Sequence, residues 1–148
     1  MARIKLELPA PEKFIFSTEI SPRISDINYG NHLGHDRLFS LLHEVRLRFL
    51  ASHGFSETDV AGCGTILADL AAVYKKQVNY GDRLKVDLAL LDPGRAGCNF
   101  FYLASNLGDG REVARATTGI VFFDYREGKI CSMPESFAAL IPCSLLGK

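Results

Sequence analysis

Only one segment of this chain carries a sustained helical period, and most of the sequence after it reads as strand. That imbalance limits the folds open to it. From His35 to about His53, Leu38, Leu41, Leu42, Val45 and Phe49 recur at helical spacing and cover one broad face. Arg37, Ser40, Glu44 and Arg48 fall on the other side, and Gly54 supplies a left-handed stop. A lone helix with so wide an apolar face has to be covered, and a curved sheet wrapped around it does that.

The strands are read from alternation and from the turns between them. Residues 13–20, with Phe14 and Phe16, read as a first strand ended by Ser21-Pro22. Thr65 to Asn79, Arg83 to Leu91, Cys98 to Ser105 and Glu112 to Asp124 read as long strands. Tyr80-Gly81-Asp82, Asp92-Pro93-Gly94 and the run from Asn106 to Gly110 supply turns, the last with an Asp-Gly pair that tolerates positive φ. Arg126-Glu127-Gly128 turns into a short piece around Ile130, and Pro134-Glu135 opens a short C-terminal helix. Consecutive hairpins predict an antiparallel meander. The expected architecture is a single α+β domain over residues 1–148, with a five- or six-stranded antiparallel sheet around a long central helix.

Composition removes several function classes. The chain has 148 residues, 47% hydrophobic, which fits one core. Seventeen basic residues balance seventeen acidic ones, so neither a general nucleic-acid partner nor a polybasic membrane contact is expected. The N-terminus has no signal-peptide-like apolar run, and no stretch is long enough to span a bilayer. Cys63, Cys98, Cys131 and Cys143 are widely and irregularly spaced, which predicts reduced thiols in a cytoplasmic protein, with no disulfide and no metal or other cofactor. His32-x-x-His35-Asp36 lacks the i,i+4 spacing of a helical metal pair.

The segment from Arg23 to Asp36 concentrates the chemistry. Asp26, Asn28, Asn31, His32, His35 and Asp36 lie within eleven residues, immediately before the helix. First-turn amides of a helix are unpaired donors at the positive end of its dipole, suited to a carbonyl on which an oxyanion forms. A carboxylate or imidazole beside them can activate or orient a water. Acyl-transfer hydrolysis is the chemistry these parts suit. Each also has a plainer reading: Asp26 and the two Asn as turn formers, Tyr29 in packing, Glu44 as the i,i+4 partner of Arg48.

The run Asp26-Ile27-Asn28-Tyr29-Gly30-Asn31-His32-Leu33-Gly34-His35, followed by Glu44-Val45-Arg46, resembles the signature of hotdog-fold acyl-CoA thioesterases of the 4-hydroxybenzoyl-CoA thioesterase type. Tyr74 through Tyr80-Gly81-Asp82-Arg83-Leu84, Ala114-Arg115-Ala116 and Val121-Phe122-Phe123-Asp124 extend the resemblance from Phe14 to Pro134. It implies a hotdog fold and hydrolysis of an acyl-CoA thioester, with the carbonyl polarised by the backbone amide near His35 and with Tyr29 lining the acyl pocket. It also implies that Arg95, at the turn before the fourth strand, meets coenzyme A phosphate; Lys75, Lys76 and Arg83 are further cations for that role.

The main departure is Asn28, which stands where the family usually has its catalytic carboxylate. An amide cannot serve as base or carboxylate nucleophile, though it can orient water or donate to a thioester oxygen. Asp26 and Glu44 are then equal candidates for the base, with His32 behind them, and either general-base or nucleophilic attack fits. An acyl-thioester binding protein, or a dehydratase-like relative without thioesterase turnover, is the alternative that Asn28 favours. One helix in one curved sheet leaves an open strand edge, which predicts a homodimer, or a homotetramer, with sites at the interface.

Overall fold

The computed structural model describes residues 1–142. Its elements in chain order are β1 (Phe14–Ile20), α1 (His35–Ser52), β2 (Gly64–Tyr74), β3 (Leu84–Leu91), β4 (Gly97–Asn106), β5 (Glu112–Asp124), β6 (Lys129–Ile130) and α2 (Glu135–Ala138). Short 3-10 turns occupy Pro11–Lys13 and Ile24–Asp26.

All six strands form one antiparallel sheet in the order β1-β3-β4-β5-β2, with β6 on β5. This corrects the expected meander. Hairpins do join β3, β4 and β5, but β2 crosses over to pair with β5, from Gly64 opposite Phe123 to Tyr74 opposite Ala114. The segment around Tyr80-Gly81-Asp82 is a local turn inside that crossover, closed by the Asp82 N–H on the Asn79 carbonyl. The predicted strand beginning at Thr65 also ends early, at Tyr74: the Lys75 and Lys76 N–H groups both donate to the Val113 carbonyl, which takes the chain out of the ladder.

The inner face of the sheet wraps α1. Leu84, Val86, Leu88 and Leu90 of β3, Phe100 and Tyr102 of β4, and Ile120 and Phe122 of β5 meet Leu38, Leu42, Val45 and Phe49 of the helix in one buried cluster. Phe49 packs edge-on to Phe16 and Phe100, and Phe137 of α2 closes the far end against Phe100 and Phe122. Each such side chain contributes roughly 1.5–3 kcal/mol on full burial.

One charge is built into this core. Arg46, only 7% exposed, donates from Nη1 to the Tyr102 hydroxyl and from Nη2 to Glu57, while its Nε has no partner among the described residues. Tyr102 in turn bonds Thr118, and Glu57 also meets His43 at 2.6 Å. The network ties α1 to the sheet and to the loop after the helix. Cys63, Cys98 and Cys131 are free thiols; Cys143 lies outside the described residues. No helix among the described residues is long and apolar enough to cross a membrane.

Candidate active site

The polar loop before α1 is folded by its own side chains. The Asp26 N–H closes a turn on the Arg23 carbonyl, and the Asp26 carboxylate accepts the Arg23 N–H in return at 2.8 Å. Asn28 Oδ1 accepts the Gly30 N–H at 2.9 Å and the His32 N–H at 3.4 Å. Asn31 takes the left-handed conformation (φ 65°) that lets the loop double back. One backbone bond closes the loop on itself, Gly34 N–H on the Asp26 carbonyl, and a second ties it to its surroundings, Leu33 N–H on the Val78 carbonyl at 2.7 Å.

That second bond brings the loop against the segment leaving β2, and a cavity of about 330 Å³ opens between them. Asn28, His32 and His35 line it from the loop side, and Tyr74, Lys75, Lys76 and Gln77 from the other. Leu33, Leu38, Val78, Val113 and Ala114 make its apolar part. Among the described residues, no carboxylate lines it.

The helix start supplies free donors. The Gly34 carbonyl accepts the N–H groups of both Arg37 and Leu38, at 3.0 and 3.2 Å, so those two are satisfied. The N–H groups of His35 and Asp36 have no acceptor among the described residues. Tyr74, at the end of β2, donates its hydroxyl to the His35 carbonyl. Burial, and then the nearby Asp36 carboxylate, pushes the Tyr74 phenol up from its ordinary pKa, so it is a neutral donor at physiological pH.

His32 Nδ1 lies 3.3 Å from the Leu33 carbonyl oxygen. A carbonyl only accepts, so Nδ1 carries the proton in that contact, and in the neutral imidazole Nε2 then keeps a lone pair. Asn28 spends its oxygen on the loop, and its NH2 group has no partner among the described residues.

The other residues singled out in the sequence lie elsewhere in the chain. Asp26 is buried (1% exposed) and does not line the cavity; one carboxylate oxygen is held by Arg23 and the other has no partner among the described residues. Glu44 is nine residues beyond His35, two and a half turns, which puts it on the opposite flank of α1. There it pairs with Arg48 at 3.0 Å in a separate polar cleft with Ser40 and Glu19. Tyr29 is fully exposed and does not line the cavity. Arg95 sits on the β3–β4 turn, donating to Ser132 Oγ at 3.0 Å, at the Phe122 end of β5, whereas the cavity lies at the Ala114 end. That is about 25 Å along the strand. Arg83 is occupied by Glu19. Among the described residues no three His, Cys, Asp or Glu are grouped to hold a metal.

Tyr74 and Gln77 are the polar cavity residues that motif reasoning did not assign. Tyr74 stood at the start of a recognised strand-and-turn pattern, but nothing local showed that its hydroxyl reaches a helix about forty residues earlier.

With this geometry in place, the comparison with protein families is decisive: the model of the thioesterase-like superfamily matches residues 22–141. The chain belongs to the thioesterase-like superfamily. Its fold is shared with a 1,4-dihydroxy-2-naphthoyl-CoA thioesterase from Synechocystis, at 22% identity and TM-score 0.78 over 88% of this chain and 96% of that one. A DHNA-CoA thioesterase from Staphylococcus aureus is similar at 19% identity and TM-score 0.74, over 89% and 94%. A second Staphylococcus aureus protein, solved in complex with CoA, is similar at 20% identity and TM-score 0.77, over 86% and 82%. These likenesses establish the hotdog fold. No curated protein matches the chain by sequence. For this thioesterase-like chain, family and fold together support an enzyme of thioester hydrolysis in general terms.

Proposed function

We propose that this thioesterase-like protein hydrolyses an acyl-CoA thioester to the free acid and CoA in the cavity beside the start of α1. The observation that carries the reading is the helix start at His35, whose N–H and that of Asp36 beside it have no acceptor among the described residues, where His35 lines a cavity that also holds the His32 imidazole and the Asn28 amide. A thioester carbonyl set against the His35 N–H meets a fixed donor and the positive end of the helix dipole where negative charge develops. The Asn28 NH2 orients the attacking water or donates to the thioester oxygen. Of the three candidate bases, His32 is the one that lines the cavity, and its Nε2 lone pair is free to take the proton. Asn28 rules out an anhydride at the position where the family usually has its carboxylate, so general-base attack is the route proposed.

Assembly is part of the proposal. β2 is an edge strand, and its middle, from Leu67 to Leu70, is exposed on both faces. An unpaired edge with exposed Leu67 and Leu70 suits a second copy of the same strand. Two-fold antiparallel pairing of β2 reverses one sheet against the other. It carries the end of the sheet that bears Arg95 of the partner subunit towards the cavity of the first. That arrangement reconciles a phosphate-binding role for Arg95 with its distance from the cavity of its own chain.

The test is release of free thiol from a panel of short, long and aromatic acyl-CoAs. Turnover of at least one, well above the buffer rate, is expected. No turnover, together with a thermal shift by the same compounds, would instead establish the second reading, an acyl-thioester binding protein; Asn28 is the observation that favours it.

A further inference from the structure

The bond between Tyr74 and the helix start has a chemical meaning as well as a mechanical one. The His35 carbonyl and the Asp36 N–H belong to one peptide unit. A hydrogen bond accepted at the oxygen of a peptide draws electron density from its nitrogen and makes the N–H a stronger donor. Tyr74 is the last residue of β2, half exposed, and lines the same cavity as His35. Its ring therefore joins the edge strand to the first turn of α1, where that helix has amides without acceptors among the described residues.

We propose that Tyr74 is a positioning residue for thioester hydrolysis, holding the first turn of α1, and with it the His35 N–H, against the cavity, and strengthening the neighbouring Asp36 N–H as a second donor to the developing oxyanion. This rests on the hydrolase reading above. Tyr74 donates to a backbone carbonyl, so it does not touch the reacting atoms; it acts through the His35–Asp36 peptide. Its raised pKa keeps the proton in place through the neutral range, and only a protonated phenol can make the bond.

The role predicts a particular kinetic signature. An amide that tightens as the oxyanion forms contributes in the transition state and little in the ground state, so its weakening lowers kcat and leaves KM nearly alone. Deleting an oxyanion donor outright costs about a hundredfold or more. Tyr74→Phe loosens the turn that carries the His35 N–H and weakens the Asp36 N–H without removing either donor, and about a tenfold fall in kcat is expected.

The experiment compares wild type, Tyr74→Phe and a protein carrying 3-fluorotyrosine at position 74, in thiol-release assays and in proton–nitrogen NMR spectra. The fluorinated phenol is a stronger donor of the same shape and is expected to retain the wild-type rate. In Tyr74→Phe the Asp36 amide proton is expected to move upfield, with kcat reduced and KM unchanged. An unchanged Asp36 resonance overturns the hydrogen bond. A moved resonance with unchanged kcat, or a loss of rate shared by the fluorinated protein, overturns the positioning role. A wild type that releases thiol from no acyl-CoA overturns the hydrolase reading and the rate claim with it, while the amide resonance still decides whether the phenol polarises the peptide.

Discussion

Glu44→Gln and His32→Gln together decide where the proton goes. Glu44 lies nine residues past His35, about 14 Å further along the helix axis and on its other flank. Its ion pair is with Arg48, and both side chains are about half exposed, at 49% and 40%. Such an i,i+4 pair is worth roughly 0.3–0.5 kcal/mol. At about 2–4 °C per kcal/mol for a chain of this size, its loss moves the melting temperature by no more than about 2 °C. Glu44→Gln is therefore expected to melt almost as wild type and to keep kcat within a factor of about two. His32 lines the cavity, and its side-chain bond to the Leu33 carbonyl, at 3.3 Å, is long. Losing that bond costs on the order of 1 kcal/mol or less, but losing a general base costs about a hundredfold or more in kcat. Thiol release, with melting curves on the same samples, reads both quantities. A hundredfold loss in Glu44→Gln at an unchanged melting temperature, or near-normal turnover in His32→Gln, refutes the assignment.

Four further outcomes are expected. Arg46→Ala takes the guanidinium from the Tyr102 hydroxyl and from Glu57 and should cost about 3 kcal/mol for two hydrogen bonds to a charged group, read as a drop of about 6 °C or more in melting temperature; a drop under about 3 °C counts against a structural role for the network. Burial pushes the Cys98 thiol up to about 12 from its ordinary value near 9, so the folded chain holds that proton where the unfolded chain releases it. This contribution to stability is complete below about pH 9 and declines as pH rises further. In denaturant titrations between about pH 8 and pH 11, Cys98→Ala should flatten the alkaline decline, and an unchanged slope rejects the cause. Leu70→Lys places a charge on the open edge of β2 and should convert a dimer into monomers by light scattering, with far-ultraviolet circular dichroism retained; a wild type that is monomeric at micromolar concentration rejects the proposed assembly. Arg95→Ala should raise KM for acyl-CoA several-fold and leave kcat unchanged, with a smaller effect on a pantetheine thioester that lacks the nucleotide phosphates; equal effects on both substrates mean Arg95 has a structural role.

The elements that depend on their own residues were legible in the chain. The helix begins at His35 as its period requires, and β5 spans Glu112–Asp124 as read. The path of β2 was not legible, because Asn79 to Asp82 carries the same turn chemistry whether the chain reverses into a hairpin or merely bends within a crossover. Which strand lies beside β2 is decided by packing: Leu67 and Asp69, on either side of a bulge at Ala68, fit against Ile120 and Gly119 of β5. The site divides in the same way. Asn28, His32 and His35 share one loop and were visible as a group. Tyr74 and Gln77 complete the cavity from another strand end, and the Leu33 bond to Val78 brings the two halves together. Asp26 has the side chain and position a base needs; that it is buried, held by the Arg23 N–H and off the cavity lining is a three-dimensional fact that spacing does not carry.

The crossover that carries β2 to the far side of the sheet also orders events in time. β3, β4 and β5 pair through short loops, with partners at most about thirty residues apart, whereas β2 meets β5 across some forty to sixty residues. Closing the longer loop costs more chain entropy and its reward comes only once β5 is in place, so β2 docks after the three-stranded unit has formed. Until then β5, with its Gly-Ile-Val-Phe-Phe run, is itself an open and apolar edge. A strand that docks after the three-stranded unit is thus the one that shields its stickiest edge. The edge β2 presents in turn exists only once β5 has been covered, so the proposed recognition between copies waits for that step.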